Sequence, residues 1–193
     1  MATSKRFAAL FEHLSSMSGA IVLATILGLS LGIPAPALAQ DCALSVEQPW
    51  PDDLVASAHV SGPCDAAAIT LLVHNGGDEV VWNSSYESGD LFSFDEIHGA
   101  ETMKTVLRGW LGDSYNFSTS SGLPQWPQNA DMPDAGEFPF YVSEGLSQAD
   151  YEAIRTADYP MICYIQGGES TLCLVRHPGI KALISVGAQT FPG

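Results

Sequence analysis

Met161-Ile-Cys-Tyr-Ile-Gln-Gly-Gly-Glu-Ser-Thr-Leu-Cys-Leu-Val-Arg-His177 sets two apolar runs around a glycine turn, with one cysteine in each arm. Alternating branched and aromatic residues on both sides of Gly167-Gly168 read as a β-hairpin. With Gly167, Gly168 and Glu169 as a three-residue loop, Gln166 faces Ser170 and, counting outward, Cys163 faces Cys173. Directly opposed residues of an antiparallel pair hold their Cβ atoms roughly 4.5–5.5 Å apart, close to what a disulfide accepts. The expectation is a stapled hairpin. Two reduced, buried cysteines are the alternative, and the compartment decides between them.

Upstream of the hairpin, Ser147 stands three residues before Asp150 as an N-cap, Leu146 can staple against Tyr151, and Tyr159-Pro160 stops a short helix near Ala157. Downstream, His177-Pro-Gly-Ile180 makes a turn and Lys181–Val186, extending toward Phe191, supplies a third strand. Farther back, Ala68–His74 and Glu79–Asn83 flank Asn75-Gly-Gly-Asp78, a strong hairpin signal. Leu54, Ala56, Ala58 and Val60 alternate with Val55, Ser57 and His59 and precede that hairpin as another strand. Glu47-Gln-Pro-Trp-Pro-Asp-Asp53 reads as too proline-rich for regular structure.

Between the two β regions, Ala100, Met103, Val106, Leu107, Trp110 and Leu111 recur at helical spacing, with Glu101, Lys104, Thr105 and Arg108 opposite. This predicts an amphipathic helix within Phe94–Leu111, capped by Ser93 with Glu96 or starting near His98, and ended by Gly112. Residues 113–145 show no sustained period. Four prolines and the aromatics Tyr115, Phe117, Trp126, Phe138, Phe140 and Tyr141 make this an ordered loop packed on the domain. The expected fold class is therefore α+β: two three-stranded antiparallel meanders in the order βββ-α-loop-α-βββ, one amphipathic and one short helix, and disulfide staples.

Lys5 and Arg6, the apolar run Ala20–Ile33 and Ala37-Leu38-Ala39 form a secretory signal layout, with cleavage expected after Ala39. The run is shorter than the ~20 residues of a spanning helix. Lys5-Arg6 matches a twin-arginine signal poorly. A lipoprotein on Cys42 would want small or apolar residues where Gln40 and Asp41 stand. Residues 40–193 are left as a single exported domain, periplasmic or secreted, with no membrane span after cleavage.

Loss of Lys5, Arg6 and Glu12 from 7 basic and 22 acidic residues leaves 5 and 21, a formal charge of −16. Such a surface repels phosphate backbones and anionic lipid and favours cationic partners. All four cysteines lie in the exported part, where disulfides form. Cys42 with Cys64 and Cys163 with Cys173 is the favoured pairing, because the second pair already has hairpin geometry. Close C-x-x-C pairs for zinc are lacking.

Chemical signatures are weak. His98 has Asp95 and Glu96 as neighbours for acid–base work, and His59 and His74 sit on strands where they can share a sheet face. Neither Ser84-Ser85 nor Ser118–Ser121 lies in a G-x-S-x-G or S-x-x-K frame. Asp131, Asp134 and Glu137 put three carboxylates in one loop, at a spacing unlike an EF-hand. Trp50 and Trp126 each sit in a proline-flanked segment, Gln48-Pro-Trp-Pro51 and Pro124-Gln-Trp-Pro127, and are the leading contact residues for recognition.

The sequence assigns no metal or cofactor and fits best a non-catalytic acidic domain that binds a cationic protein or envelope component. A small hydrolase or metal-dependent enzyme built on His98 or His59/His74, and a structural envelope protein, are the alternatives. In size, export, disulfides and β content the chain is similar to bacterial lysozyme inhibitors of the C-type-inhibitor family, so inhibition of a basic secreted hydrolase is one form the binding can take. That family's serine-glycine-alanine-arginine-tyrosine loop has no counterpart, since Ser118-Thr-Ser-Ser-Gly122 lacks the basic and aromatic members. No family is assigned.

Overall fold

The computed structural model describes residues 41–94 and 96–191. The expected leader, its cleavage after Ala39, and Asp95 beside His98 lie outside the described residues. The class is α+β, with two antiparallel sheets of four and five strands and two helices. Four strands rather than three make the first sheet: β1 (Leu44–Trp50), β2 (Leu54–Ser61), β3 (Ala68–His74) and β4 (Val80–Glu87), paired in chain order.

The added strand is β1, which holds part of the segment expected to be irregular. Proline is tolerated there because β1 is an edge. The Cys42 N–H donates to the Gly62 carbonyl, and residues of the same parity in β1 (44, 46, 48, 50) therefore make the ladder bonds to β2. Pro49 falls on the other parity, and its missing N–H is on the open side. The β3–β4 hairpin closes through Asn75, whose backbone N–H donates to the Glu79 carbonyl and whose side chain accepts from Gly77 and Glu79 N–H.

Helix α1 (Ala100–Asp113) buries Met103, Leu107, Trp110 and Leu111, the anticipated stripe. It starts later than Ser93, which has φ 69° and is not helical, and Gly99 is the N-cap with no side-chain bond. It runs past Gly112 to Asp113.

The second sheet also departs from the expected meander. Its order is β5-β7-β8-β9-β6, with β5 (Tyr115–Thr119) and β6 (Phe140–Val142) drawn from the segment read as a loop. Strands β7 (Pro160–Ile165) and β8 (Ser170–Val175) are the stapled hairpin, and β9 (Ile184–Thr190) begins later than Lys181. The register is the one the cysteines demanded. Cys163 is opposite Cys173, they are disulfide-bonded, and Gln166 N–H donates to the Ser170 carbonyl across the three-residue loop. The second disulfide joins Cys42 to Cys64.

Strand alternation divides the core. Ile162, Tyr164, Leu172 and Leu174 face inward to a cluster shared with the first sheet and α1. There Tyr164 Oη accepts from Trp82 Nε1 at 3.1 Å and lies 2.7 Å from Tyr86 Oη; burial pushes both phenols above their ordinary range. Met161, Cys173 and Val175 face the other way, joining Phe140, Val186 and two side chains of helix α2 (Gln148–Thr156), Tyr151 and Ile154. Ser147 caps α2 as expected, its Oγ accepting from Asp150 N–H. Two disulfides fit an oxidising, extracytoplasmic setting. Among the described residues no helix is long and apolar enough to cross a membrane.

Candidate functional site

The chain between β5 and β6 is proline-rich and has few strand contacts, so side chains must fix it. Helix α2 does this. Trp126 N–H donates to Glu152 Oε1 at 2.6 Å, Gln148 Nε2 donates to the Trp126 and Pro127 carbonyls, and Tyr151 Oη donates to the Pro124 carbonyl. The Trp126 indole N–H donates to the Ala130 carbonyl at 2.9 Å, and its ring meets Tyr151 edge-on at 5.7 Å. A backbone bridge from Asp134 N–H to the Gln125 carbonyl closes the segment on itself.

Electrostatics reinforce this anchorage. Burial raises the Glu152 carboxyl, but the Trp126 N–H and the Arg155 guanidinium together outweigh it and hold the group below its ordinary value. Burial, with the Glu152 charge behind it, pushes the Tyr151 phenol up. Tyr151 therefore stays a neutral donor to Pro124.

Between this segment and the β6–α2 connection lies a hollow of about 360 Å³, lined by Trp126, Asp131, Met132, Tyr141, Glu144 and Leu146 among others. Strand alternation turns Phe140 into the core and Tyr141 out, leaving Tyr141 52% exposed. Ser143 to Leu146 is a turn closed by Leu146 N–H on the Ser143 carbonyl, with Gly145 at φ 83° in the third position, where type II geometry calls for glycine. That turn carries Glu144, an exposed member of the lining.

Of the residues singled out by sequence, the hollow gathers Trp126 and Asp131. Trp50 is elsewhere: it is 5% exposed, its indole N–H donates to the Leu111 carbonyl at 2.8 Å, and its ring rests on Tyr115 and Tyr164. In this conformation it presents no face to a partner. Asp134 and Glu137 are exposed and outside the hollow's lining, with Asp134 accepting weakly from Gly136 N–H. Tyr141 and Glu144 were missed. The outward position of Tyr141 in a Phe-Tyr-Val strand was their one available signal.

His59 and His74 do not converge. His59 and His74 share the solvent face of the first sheet, but His74 opposes Val55, four residues along β2 from His59, or roughly 13 Å. That spacing is beyond a shared ion. Among the described residues no three His, Cys, Asp or Glu side chains group to hold a metal. Ser120 Oγ is buried, donating to the Ile154 carbonyl and accepting from Tyr159 N–H; Ser121 donates to Asp158, whose carboxyl the Ser121 and Thr119 hydroxyls hold low. A second groove of about 380 Å³ crosses the outer face of the second sheet over Cys163 and Cys173, its lining uncharged among the described residues.

Against protein-family models, curated proteins and solved structures, the chain has no match.

Proposed function

We propose that residues 40–193 form an exported, non-catalytic acidic domain, periplasmic or secreted, that binds a cationic protein or envelope component. Inhibition of a basic hydrolase is one form this takes. The observation that carries the reading is the hollow beside α2: two aromatic side chains and two carboxylates line it, no basic side chain does among the described residues, and the chain has 22 acidic residues against 7 basic. Mixed apolar and convergent polar linings are the usual make-up of binding sites, and the charge excess speeds encounter with a cation.

The test is a pull-down with protein expressed with residues 1–39 in place and purified as the host processes it, against envelope and secreted fractions at low and at high salt. A basic partner held at low salt and released at high salt is expected, because charge-driven contacts are screened within a Debye length of about 10 Å at 0.1 M. Capture of neutral or acidic proteins alone, insensitive to salt, overturns the reading.

A further inference from the structure

We infer that the hollow between Trp126 and Tyr141 takes one arginine side chain of the partner. This rests on the reading above and adds the group that is recognised. Trp126 is fixed before any ligand arrives, by its backbone N–H on Glu152, its indole N–H on Ala130 and its edge contact with Tyr151. A wall already held in place costs little ordering on binding. In the same lining, Met132 and Leu146 offer apolar surface for the methylenes of a long side chain.

Among the described residues no basic side chain answers the charge of the hollow. Ion pairs among the described residues join Arg155 to Glu152, Arg176 to Asp52 and Lys181 to Glu79. Lys104 and Arg108, the other basic residues of the described part, belong to α1 and are absent from the lining. Asp131 and Glu144 are exposed in the hollow and enter none of these pairs. A guanidinium suits this combination better than an ammonium. It is planar, stacks on aromatic faces, is weakly hydrated and divides its donors between carboxylates, whereas lysine brings a compact, strongly hydrated charge.

The experiment is a titration of the ¹⁵N-labelled processed protein, followed by amide and indole N–H shifts, with N-acetylarginine amide, N-acetyllysine amide and the neutral isostere N-acetylcitrulline amide. Saturable shifts confined to the Trp126 indole, the amides of residues 131 and 132 and those of 141–146 are expected, several-fold tighter for arginine than lysine and absent for citrulline. Asp131→Asn with Glu144→Gln should weaken arginine about tenfold while the rest of the spectrum is unchanged. Tyr141→Ala, which keeps both charges, should weaken it as well.

Shifts spread over the acidic surface without saturation, or an unchanged affinity in the double variant, overturn the site. If the salt-sensitive partner is still captured by the double variant, the site fails and the proposed function stands. Saturable arginine binding without any salt-sensitive partner has the reverse meaning.

Discussion

Glu152 on α2 accepts the backbone N–H of Trp126 at 2.6 Å and the Arg155 Nε–H at 2.9 Å, so a single carboxylate ties the proline-rich segment to the helix. Both bonds are to the charged form. The folded carboxyl is held low, so its contribution is complete above the ordinary value near 4.5 and is lost as pH falls through the lower folded value. Glu152→Ala should cost about 1 kcal/mol at neutral pH, discounted for partial solvent exposure, and Glu152→Gln should flatten the acid limb below pH 4.5. Urea melts across pH 3 to 7 with Trp fluorescence read this out; an unchanged acid limb in the Gln variant refutes the assignment.

Trp50 caps the other helix. The Leu111 carbonyl lies in the last turn of α1, where no intrahelical donor reaches it, and the Trp50 indole N–H supplies one at 2.8 Å. Trp50→Phe keeps most of the ring but leaves that carbonyl without its donor, for an expected loss of about 1–3 kcal/mol. Trp50→Ala should lose about 3–5 kcal/mol by also opening a cavity. Denaturant midpoints of the two variants should separate clearly, and a neutral Phe variant would show that the carbonyl finds another donor.

The two disulfides differ in the loop they close. Their sequence separations are 22 for Cys42–Cys64 and 10 for Cys163–Cys173. In the chain-entropy model each stabilises by about 3 kcal/mol, the longer loop by about 0.7 kcal/mol more. Double Cys→Ala variants of each pair, compared by urea unfolding, should follow that order. Free thiols titrated in the native, unreduced protein would count against both bridges.

Two glycines should respond in opposite directions to alanine. A Cβ on Gly187, at φ 156°, would press into the Phe140 ring and stand 2.6 Å from the Tyr141 carbonyl oxygen, so Gly187→Ala should cost about 2 kcal/mol or more. It also displaces β6, which carries Tyr141, and should weaken arginine binding at the hollow. Gly109 lies inside α1, where an added Cβ would meet nothing within 4 Å beyond its chain neighbours and the adjoining helix backbone; Gly109→Ala should stabilise by about 1 kcal/mol through helix propensity. Thermal melts of both variants check the pair.

What was legible in the chain was local. The stapled register follows from counting outward from Gly167-Gly168, the α2 cap from Ser147 and Asp150, the α1 stripe from its 3.6-residue period, and the β3–β4 hairpin from Asn75-Gly-Gly-Asp78. Each depends on neighbours a few residues apart, where turn chemistry and periodicity act directly. At the candidate site, Trp126 and Asp131 were visible as residue types suited to recognition.

Non-local pairing accounts for the rest. β5 and β6 are short and have weak propensity of their own; they are strands because β7 and β9, more than forty residues away in each case, offer ladder partners. β1 accepts Pro49 only because it is an edge, which depends on strand order. Trp50 and Trp126 have nearly the same proline-flanked sequence, yet packing against Tyr115 and Tyr164 buries the first while Glu152 and Tyr151 hold the second at a hollow. The sequence by itself determined the locally coded elements, the staples and the charge. The tertiary structure alone decided which aromatics meet carboxylates, because that depends on contacts whose loop-closure entropy is repaid only when the whole core forms.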